Sequence, residues 1–152
     1  MQITELKNLP DINPDEKLTN AYLQFQQLLS ELRKKQLPDA ITKIINQDVN
    51  DINTLTTPDQ FKIALKQKQK NILKLLEKQL KMVPKNYYRN LWFVLGMTAF
   101  GLPIGVAISL SVHNMGLLGT GFPFGMFMGF AVGAAMDKKA FTEGRQLDLE
   151  VK

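Results

Sequence analysis

The sequence predicts an all-α protein in which an N-terminal cytoplasmic helical bundle or hairpin precedes a two-helix transmembrane hairpin. Residues 91–136 contain no Asp, Glu, Lys or Arg. The polar break His-Asn-Met-Gly at 113–116 divides them into halves of about 20 residues, each long enough to cross a hydrocarbon core of about 30 Å as a helix. Before residue 91, apolar residues recur every three or four positions, which is typical of one helix face.

Four segments follow from this pattern. We expect an irregular N-terminus at 1–13, an amphipathic helical cytoplasmic domain at 14–84, a transmembrane hairpin at 85–136 with spans at about 91–112 and 117–136, and a cytoplasmic tail at 137–152. The net charge of +5 comes entirely from residues 1–90, before the uncharged spans, where 15 Lys and Arg face 10 Asp and Glu. The chain has no Cys, which excludes disulfide and thiolate chemistry. It shows no secretory signal before the spans.

Three amphipathic helices are predicted in the cytoplasmic domain. The first starts at Pro14 with Asn13 as its N-cap, the second covers about 38–55, and the third starts after the N-cap Thr57 and runs to about Met82. The Asn and Asp residues of the second disfavour a helix. The expected apolar stripes are Leu18, Ala21, Tyr22, Phe25, Leu28, Leu29 and Leu32 on the first helix; Ile41, Ile44, Ile45, Val49, Ile52 and Leu55 on the second; and Phe61, Leu65, Ile72, Leu75, Leu76 and Val83 on the third.

A lysine recurs every four residues along the third helix. This basic face consists of Lys62, Lys66, Lys70, Lys74 and Lys78. Three interpretations stay open: a solvated face, contact with anionic lipid headgroups, and nucleic-acid binding. The last is disfavoured because the sequence has no recognised nucleic-acid-binding fold and few interleaved aromatic residues.

The residues that flank the spans predict their orientation. Aromatic and basic side chains of the kind found at membrane interfaces lie on both sides of the hairpin: Lys85, Tyr87, Tyr88, Arg89 and Trp92 before it, and Lys138 and Lys139 after it. The turn between the spans carries no charge. By the positive-inside rule, both termini are therefore expected in the cytoplasm.

Small residues recur at intervals of four in both spans. They are Gly101, Gly105 and Ser109 in the first span, and Gly121, Gly125, Gly129 and Gly133 in the second. Small residues at this spacing let helix backbones approach closely in lipid. Packing within one hairpin and packing between copies both stay open. The many phenylalanines left to meet lipid favour association between copies.

The second span and its charged tail resemble the small bacterial glycine-zipper proteins, which are two-span membrane hairpins. The resemblance rests on the glycine series at 121–133, followed by Asp-Lys-Lys-Ala at 137–140 and Glu-Gly-Arg-Gln-Leu at 143–147. It covers residues 91–147 and implies a membrane hairpin architecture rather than a chemistry. A location in the bacterial inner membrane is expected on this basis.

No constellation of catalytic, cofactor-binding or metal-binding residues is evident. The single His113 lies at the turn without a nearby carboxylate and is interpreted as a helix-end histidine. Pro103 is expected to kink the first span, either as a tolerated kink or as a hinge. Pro123 offers an alternative start for the second helix, which would leave 116–122 non-helical and buried against protein.

These features predict a non-enzymatic integral membrane protein. Its glycine-laddered hairpins would associate laterally, and in the sharper form of this hypothesis they form a homo-oligomeric channel or membrane-permeabilising assembly controlled by the cytoplasmic helical domain. The alternative is an accessory or scaffold subunit of a larger membrane complex. The expected partners are the bilayer, a second copy or another membrane protein, and anionic headgroups at the basic face; no cofactor, metal or nucleic acid is expected.

Overall fold

The protein is mostly helical and forms two compact units. The computed structural model describes residues 2–8 and 16–150, so the predicted cap Asn13 and first-turn Pro14 lie outside the described residues. Unit 1 comprises residues 1–82 together with 147–152, and unit 2 comprises residues 83–146. The chain therefore leaves unit 1, builds unit 2 and returns to unit 1.

Unit 1 contains three helices. They are α1 (Glu16–Arg33), α2 (Asp39–Asn53) and α3 (Pro58–Leu80). Thr57 occupies the predicted N-cap position of α3, with an extended backbone, but its side chain makes no cap hydrogen bond. Lys81 adopts a left-handed conformation, which ends α3 at Leu80. Val83, which was predicted on the apolar face of this helix, follows the end of the helix. The third helix is therefore confirmed, with Val83 outside it.

The predicted apolar stripes form the core of unit 1, where α3 packs against α1 and α2. All seven predicted residues of the α1 stripe are buried. On α2 the prediction for Ile44 is wrong, because its side chain is 45% exposed and Thr42 is buried instead. On α3, Leu75 is only partly buried at the margin of the core.

Segments near both ends of the described chain complete this core. Ile3 is buried, and Leu147 and Leu149 are almost fully enclosed by the same apolar cluster. The backbone carbonyl of Asp148, between them, accepts a hydrogen bond from Gln27 Nε2 at 2.8 Å. The backbone N–H of Asp148 donates to Glu31 Oε2 at 3.4 Å. Residues 147–149 are thus a structural part of unit 1, whereas the sequence predicted a cytoplasmic tail there.

One buried polar group departs from the apolar pattern of the core. Gln69 is 5% exposed on the core face of α3, and its Nε2 has no hydrogen-bond partner among the described residues. An amide buried in this way costs about 1–3 kcal/mol. Gln69→Leu is therefore expected to raise the free energy of unfolding by about 1 kcal/mol or more, measured as a higher urea midpoint by circular dichroism in mild detergent. Gln67→Leu, at an exposed site on α3, is the control, and a lower midpoint for Gln69→Leu contradicts the prediction.

A lysine on α3 bridges two carboxylates of α2. Lys68 Nζ lies 2.6 Å from Asp48 Oδ1 and 2.7 Å from Asp51 Oδ2. The hydrogen bond to Asp48, followed by that to Asp51, raises the pKa of Lys68 above its ordinary value of 10.5. The bridge therefore joins two helices of unit 1 by charge.

Lys68→Gln is expected to lower the free energy of unfolding of unit 1 by about 1 kcal/mol at neutral pH, since the pair is partly exposed. A raised lysine pKa contributes stability below the ordinary pKa that is lost as the pH rises through the folded value. The difference between wild type and variant should therefore shrink above pH 10.5. Lys66→Gln is the control at an exposed site, and equal losses for both variants would contradict the prediction.

Unit 2 is an antiparallel pair of long helices. The first consists of α4 (Tyr87–Gly96), a π-helical turn (Met97–Gly101) and α5 (Leu102–Ser111). The second consists of a 3-10 helix (Met115–Thr120) and α6 (Gly121–Thr142). Two short strands, β1 (Val83–Pro84) and β2 (Gln146–Leu147), pair with each other, and Val83 N donates to Arg145 O at 3.0 Å.

The boundaries of the second long helix differ from the prediction. α6 extends to Thr142, so residues 137–142 continue the helix. The alternative in which residues 116–122 are non-helical and buried is wrong, because a 3-10 helix covers 115–120 and both of its glycines are exposed. Pro123 is the third residue of α6, where a missing N–H costs no intrahelical bond.

Candidate functional site

The two long helices of unit 2 meet along a seam of small residues. Every predicted seam position is buried: Gly101, Gly105, Ser109, Gly121, Gly125, Gly129 and Gly133. A methyl group added at Gly125 would overlap backbone atoms of Gly96 and Gly101, and one at Gly129 would overlap the Trp92 carbonyl oxygen. The small residues therefore permit backbone-to-backbone contact, and both series are used within a single chain.

A further glycine belongs to the seam. Gly96 is buried, and a Cβ built on it would lie 2.7 Å from Gly129 Cα. It precedes Gly101 by five residues, an interval that a regular α-helix rotates off the line of contact. The π-helical turn at Met97–Gly101 contains the extra residue and brings Gly96 back onto the seam.

The π-helical turn also accommodates Pro103. Proline has no N–H to donate and its ring crowds the carbonyl four residues earlier, here that of Ala99. The turn that contains Ala99 is the widened one. Thr98 Oγ1 donates to the Leu95 carbonyl at 3.0 Å, which is a different carbonyl from that of Ala99.

A buried carboxylate closes the seam at its charged end. Asp137 is 8% exposed, and its two oxygens accept hydrogen bonds from Tyr88 N and Arg89 N, each at 3.0 Å. These N–H groups belong to the first turn of α4, where they have no intrahelical acceptor. Asp137 lies on α6 four residues after Gly133, so it faces α4 in the same way as the glycines do. From this position its carboxylate caps the N-terminus of α4.

The predicted interface residues lie at this same end. The rings of Tyr87 and Tyr88 are in an edge-to-face arrangement with centroids 5.3 Å apart. The Arg89 guanidinium lies over the Phe130 ring, 5.6 Å from its centroid. Lys138 and Lys139 follow Asp137 on α6 and are exposed. Basic residues before and after the helix pair are thus brought together, with Lys85 exposed just before α4 and Trp92 one turn into it.

The opposite end of the pair is polar and uncharged. His113 has a left-handed backbone, with φ of 55°, and Asn114 Oδ1 accepts from Gly116 N at 2.9 Å to start the 3-10 helix. His113 is exposed at a helix end, where the sequence predicted it. In the described ranges no three His, Cys, Asp or Glu side chains meet in a metal-binding arrangement.

The basic face remains largely exposed on α3. Lys66, Lys70, Lys74 and Lys78 are exposed, whereas Lys62 is half-buried. The predicted face is therefore available to solvent or a charged surface along most of its length.

Sequence reasoning missed Gly96 and Asp137. Two features of the sequence could have indicated Gly96: it lies five residues before Gly101, and Pro103 follows Gly101 by two residues. For Asp137 the signal was the four-residue step from Gly133, which places a carboxylate on the glycine face. Comparisons of the chain with protein-family models, curated proteins and solved structures found no match.

Proposed function

We propose that the chain is a non-enzymatic integral membrane protein in which unit 2 is a two-span anchor and unit 1 is a cytoplasmic adaptor. The observation that carries this proposal is the distribution of side chains on the helix pair. Glycines fill its interior and large apolar side chains cover its exterior, including Val94, Phe124 and Phe127, whose exposed fractions are 59%, 58% and 77%. Such an apolar exterior suits lipid.

Length and hydropathy support the same proposal. Tyr87–Ser111 and Met115–Thr142 have 25 and 28 residues, and the most apolar 18-residue windows within them have mean hydropathies of 2.0 and 1.5. Only 22% and 17% of their most apolar windows are buried. A core helix of a water-soluble protein of similar hydropathy would be mostly buried by its own fold.

The orientation follows from charge. Lys85, Arg89, Lys138 and Lys139 share one end of the pair, and the turn at the other end carries no charge. The positive-inside rule then places both termini in the cytoplasm. With the architecture of glycine-zipper hairpins as a guide, the membrane is the bacterial inner membrane.

An adaptor or accessory subunit is the form of this function that we favour over an oligomeric channel. The glycine seam is occupied within one chain, so it offers no groove to a second copy while this packing lasts. Lateral association would instead use the outer aromatic faces. Mass photometry in nanodiscs tests this choice: we expect a single chain per particle or a complex with a different protein, and a discrete homo-oligomer would favour the channel.

Membrane topology is tested by single cysteines, because the chain has none of its own. Met115→Cys is placed at the exposed turn and Asp59→Cys on unit 1. In intact spheroplasts, a membrane-impermeant maleimide should label only the first, and lysis should expose the second. Release of the wild-type chain by carbonate extraction, or equal labelling of both cysteines before lysis, would overturn the proposal.

A further inference from the structure

Two asparagines on α2 hold the N-terminal segment, residues 2–8, by its backbone. Asn46 Oδ1 accepts from Thr4 N at 2.8 Å and its Nδ2 donates to Gln2 O at 3.0 Å. Asn53 repeats the arrangement with Lys7 N at 2.8 Å and Glu5 O at 3.0 Å. Each side-chain amide therefore pairs with the donor and the acceptor that flank one residue of an extended chain.

The spacing of the two asparagines matches that of the bound backbone. Seven residues of α-helix rise about 10.5 Å. Three residues of an extended chain of the polyproline II type complete one turn and cover about 9 Å, so that every third residue faces the same side. Two asparagines seven residues apart on α2 can therefore bind equivalent backbone groups that are three residues apart on the bound segment. These contacts do not depend on the side chains of the bound segment, because they involve only its backbone.

Two apolar side chains supply the remaining contacts. Ile3, between the backbone groups held by Asn46, is 8% exposed in the core of unit 1. Leu6, between those held by Asn53, packs partly buried against the same core. Arg33 of α1 adds long hydrogen bonds to the carbonyls of Ile3 and Thr4, at 3.4 and 3.3 Å.

We propose that Asn46, Asn53 and Arg33 form a binding site for an extended segment of a partner protein that carries apolar residues three positions apart. Residues 2–8 then act as a built-in competitor that fills the site when the partner is absent. The contact chemistry on both asparagines points to this class of ligand, because an extended polypeptide repeats a donor and an acceptor at this interval.

The surroundings of the segment allow exchange. A cavity of about 930 Å³ is lined by Gln2, Ile3, Thr4 and Glu5 on one side and by the end of α1 and Thr42 on the other. An incoming chain can contact unit 1 there before the resident segment leaves. The site lies wholly in unit 1, so the proposal does not depend on whether unit 2 spans a membrane.

The test uses the full-length chain in mild detergent and a fluorescein-labelled peptide with the sequence of residues 1–8. Ile3→Asp with Leu6→Asp releases the resident segment, because a carboxylate is costly at a buried apolar position. Fluorescence anisotropy should show the peptide binding the released variant at least tenfold more tightly than wild type. In wild type the resident segment competes at an effective concentration on the order of millimolar.

The asparagines are tested in the released variant. Adding Asn46→Ala or Asn53→Ala removes two hydrogen bonds and should weaken peptide binding about tenfold. Asn50→Ala is the matched control, since Asn50 lies between them on α2 and is exposed; it should leave the affinity unchanged. A labelled peptide with aspartate at both apolar positions should not bind.

Two results would overturn the proposal. One is a released variant that binds the peptide no better than wild type, and the other is an equal loss from Asn50→Ala and Asn46→Ala. If circular dichroism shows that the double aspartate variant has lost its helices, Leu6→Asp alone is measured by the same criteria.

Discussion

Alanine at both Gly125 and Gly129 is expected to separate α6 from α4 and to destabilise unit 2 by about 2–6 kcal/mol, or 1–3 kcal/mol for each overpacked position. Glycine-to-alanine changes inside a helix ordinarily stabilise it by about 0.5–1 kcal/mol. Here the new methyl groups would meet backbone atoms of Trp92, Gly96 and Gly101. Backbone atoms cannot rotate away, so the steric cost outweighs the gain in helix propensity.

The single tryptophan of the chain, Trp92, reports this change, since its carbonyl faces Gly129. Unfolding of unit 2 is followed by its fluorescence during titration with a denaturing detergent. The double variant should unfold at a lower detergent fraction. Gly119→Ala is the matched control, because nothing lies within 4 Å of the new methyl group. An unchanged midpoint for the double variant would show that the seam is not a close backbone contact.

Asp137→Ala is expected to cost unit 2 about 3–6 kcal/mol. The carboxylate makes two charge-assisted hydrogen bonds to the first turn of α4, and such bonds contribute about 1.5–3 kcal/mol each in partly buried sites. Its removal leaves the N–H groups of Tyr88 and Arg89 without this acceptor. Asp137→Asn, which keeps one acceptor oxygen, should lose about half as much.

The same fluorescence titration measures this loss, and trypsin gives a local readout. The first turn of α4 contains Arg89, so cleavage after this residue should be faster in Asp137→Ala than in wild type. Glu143→Gln is the control, because it alters an exposed carboxylate just beyond the end of α6. If both variants are cleaved at the wild-type rate, Asp137 does not hold the first turn of α4.

Sequence periodicity predicted the features that repeat locally. The α1 stripe and the glycine positions 121–133 follow regular helical spacing, and the structure buries all of them. Gly96 was missed because it lies five residues before Gly101, and two residues five apart share one helix face only where the helix contains a wider, π-helical turn. Asp137 was missed because a charged residue beside two lysines reads as part of a solvated tail.

Features that depend on distant parts of the chain were not predictable in this way. The asparagines of α2 counted against a helix, yet Asn46 and Asn53 bond to residues more than 40 positions earlier. Their side chains are satisfied by backbone partners that no local pattern reveals. Leu147 and Leu149 form too short an apolar segment to indicate burial, and the apolar cluster that encloses them is built from α1, α2 and α3, far earlier in the sequence.

The return of residues 147–149 to unit 1 imposes an order on biosynthesis. A ribosome completes α1, α2 and α3 before it makes unit 2, but the last apolar contacts of unit 1 emerge only afterwards. The nascent unit 1 therefore has a gap in its core until the two long helices of unit 2 have been synthesised. A chain whose second long helix fails to turn back would keep that gap open, and its exposed apolar surface would mark it for degradation.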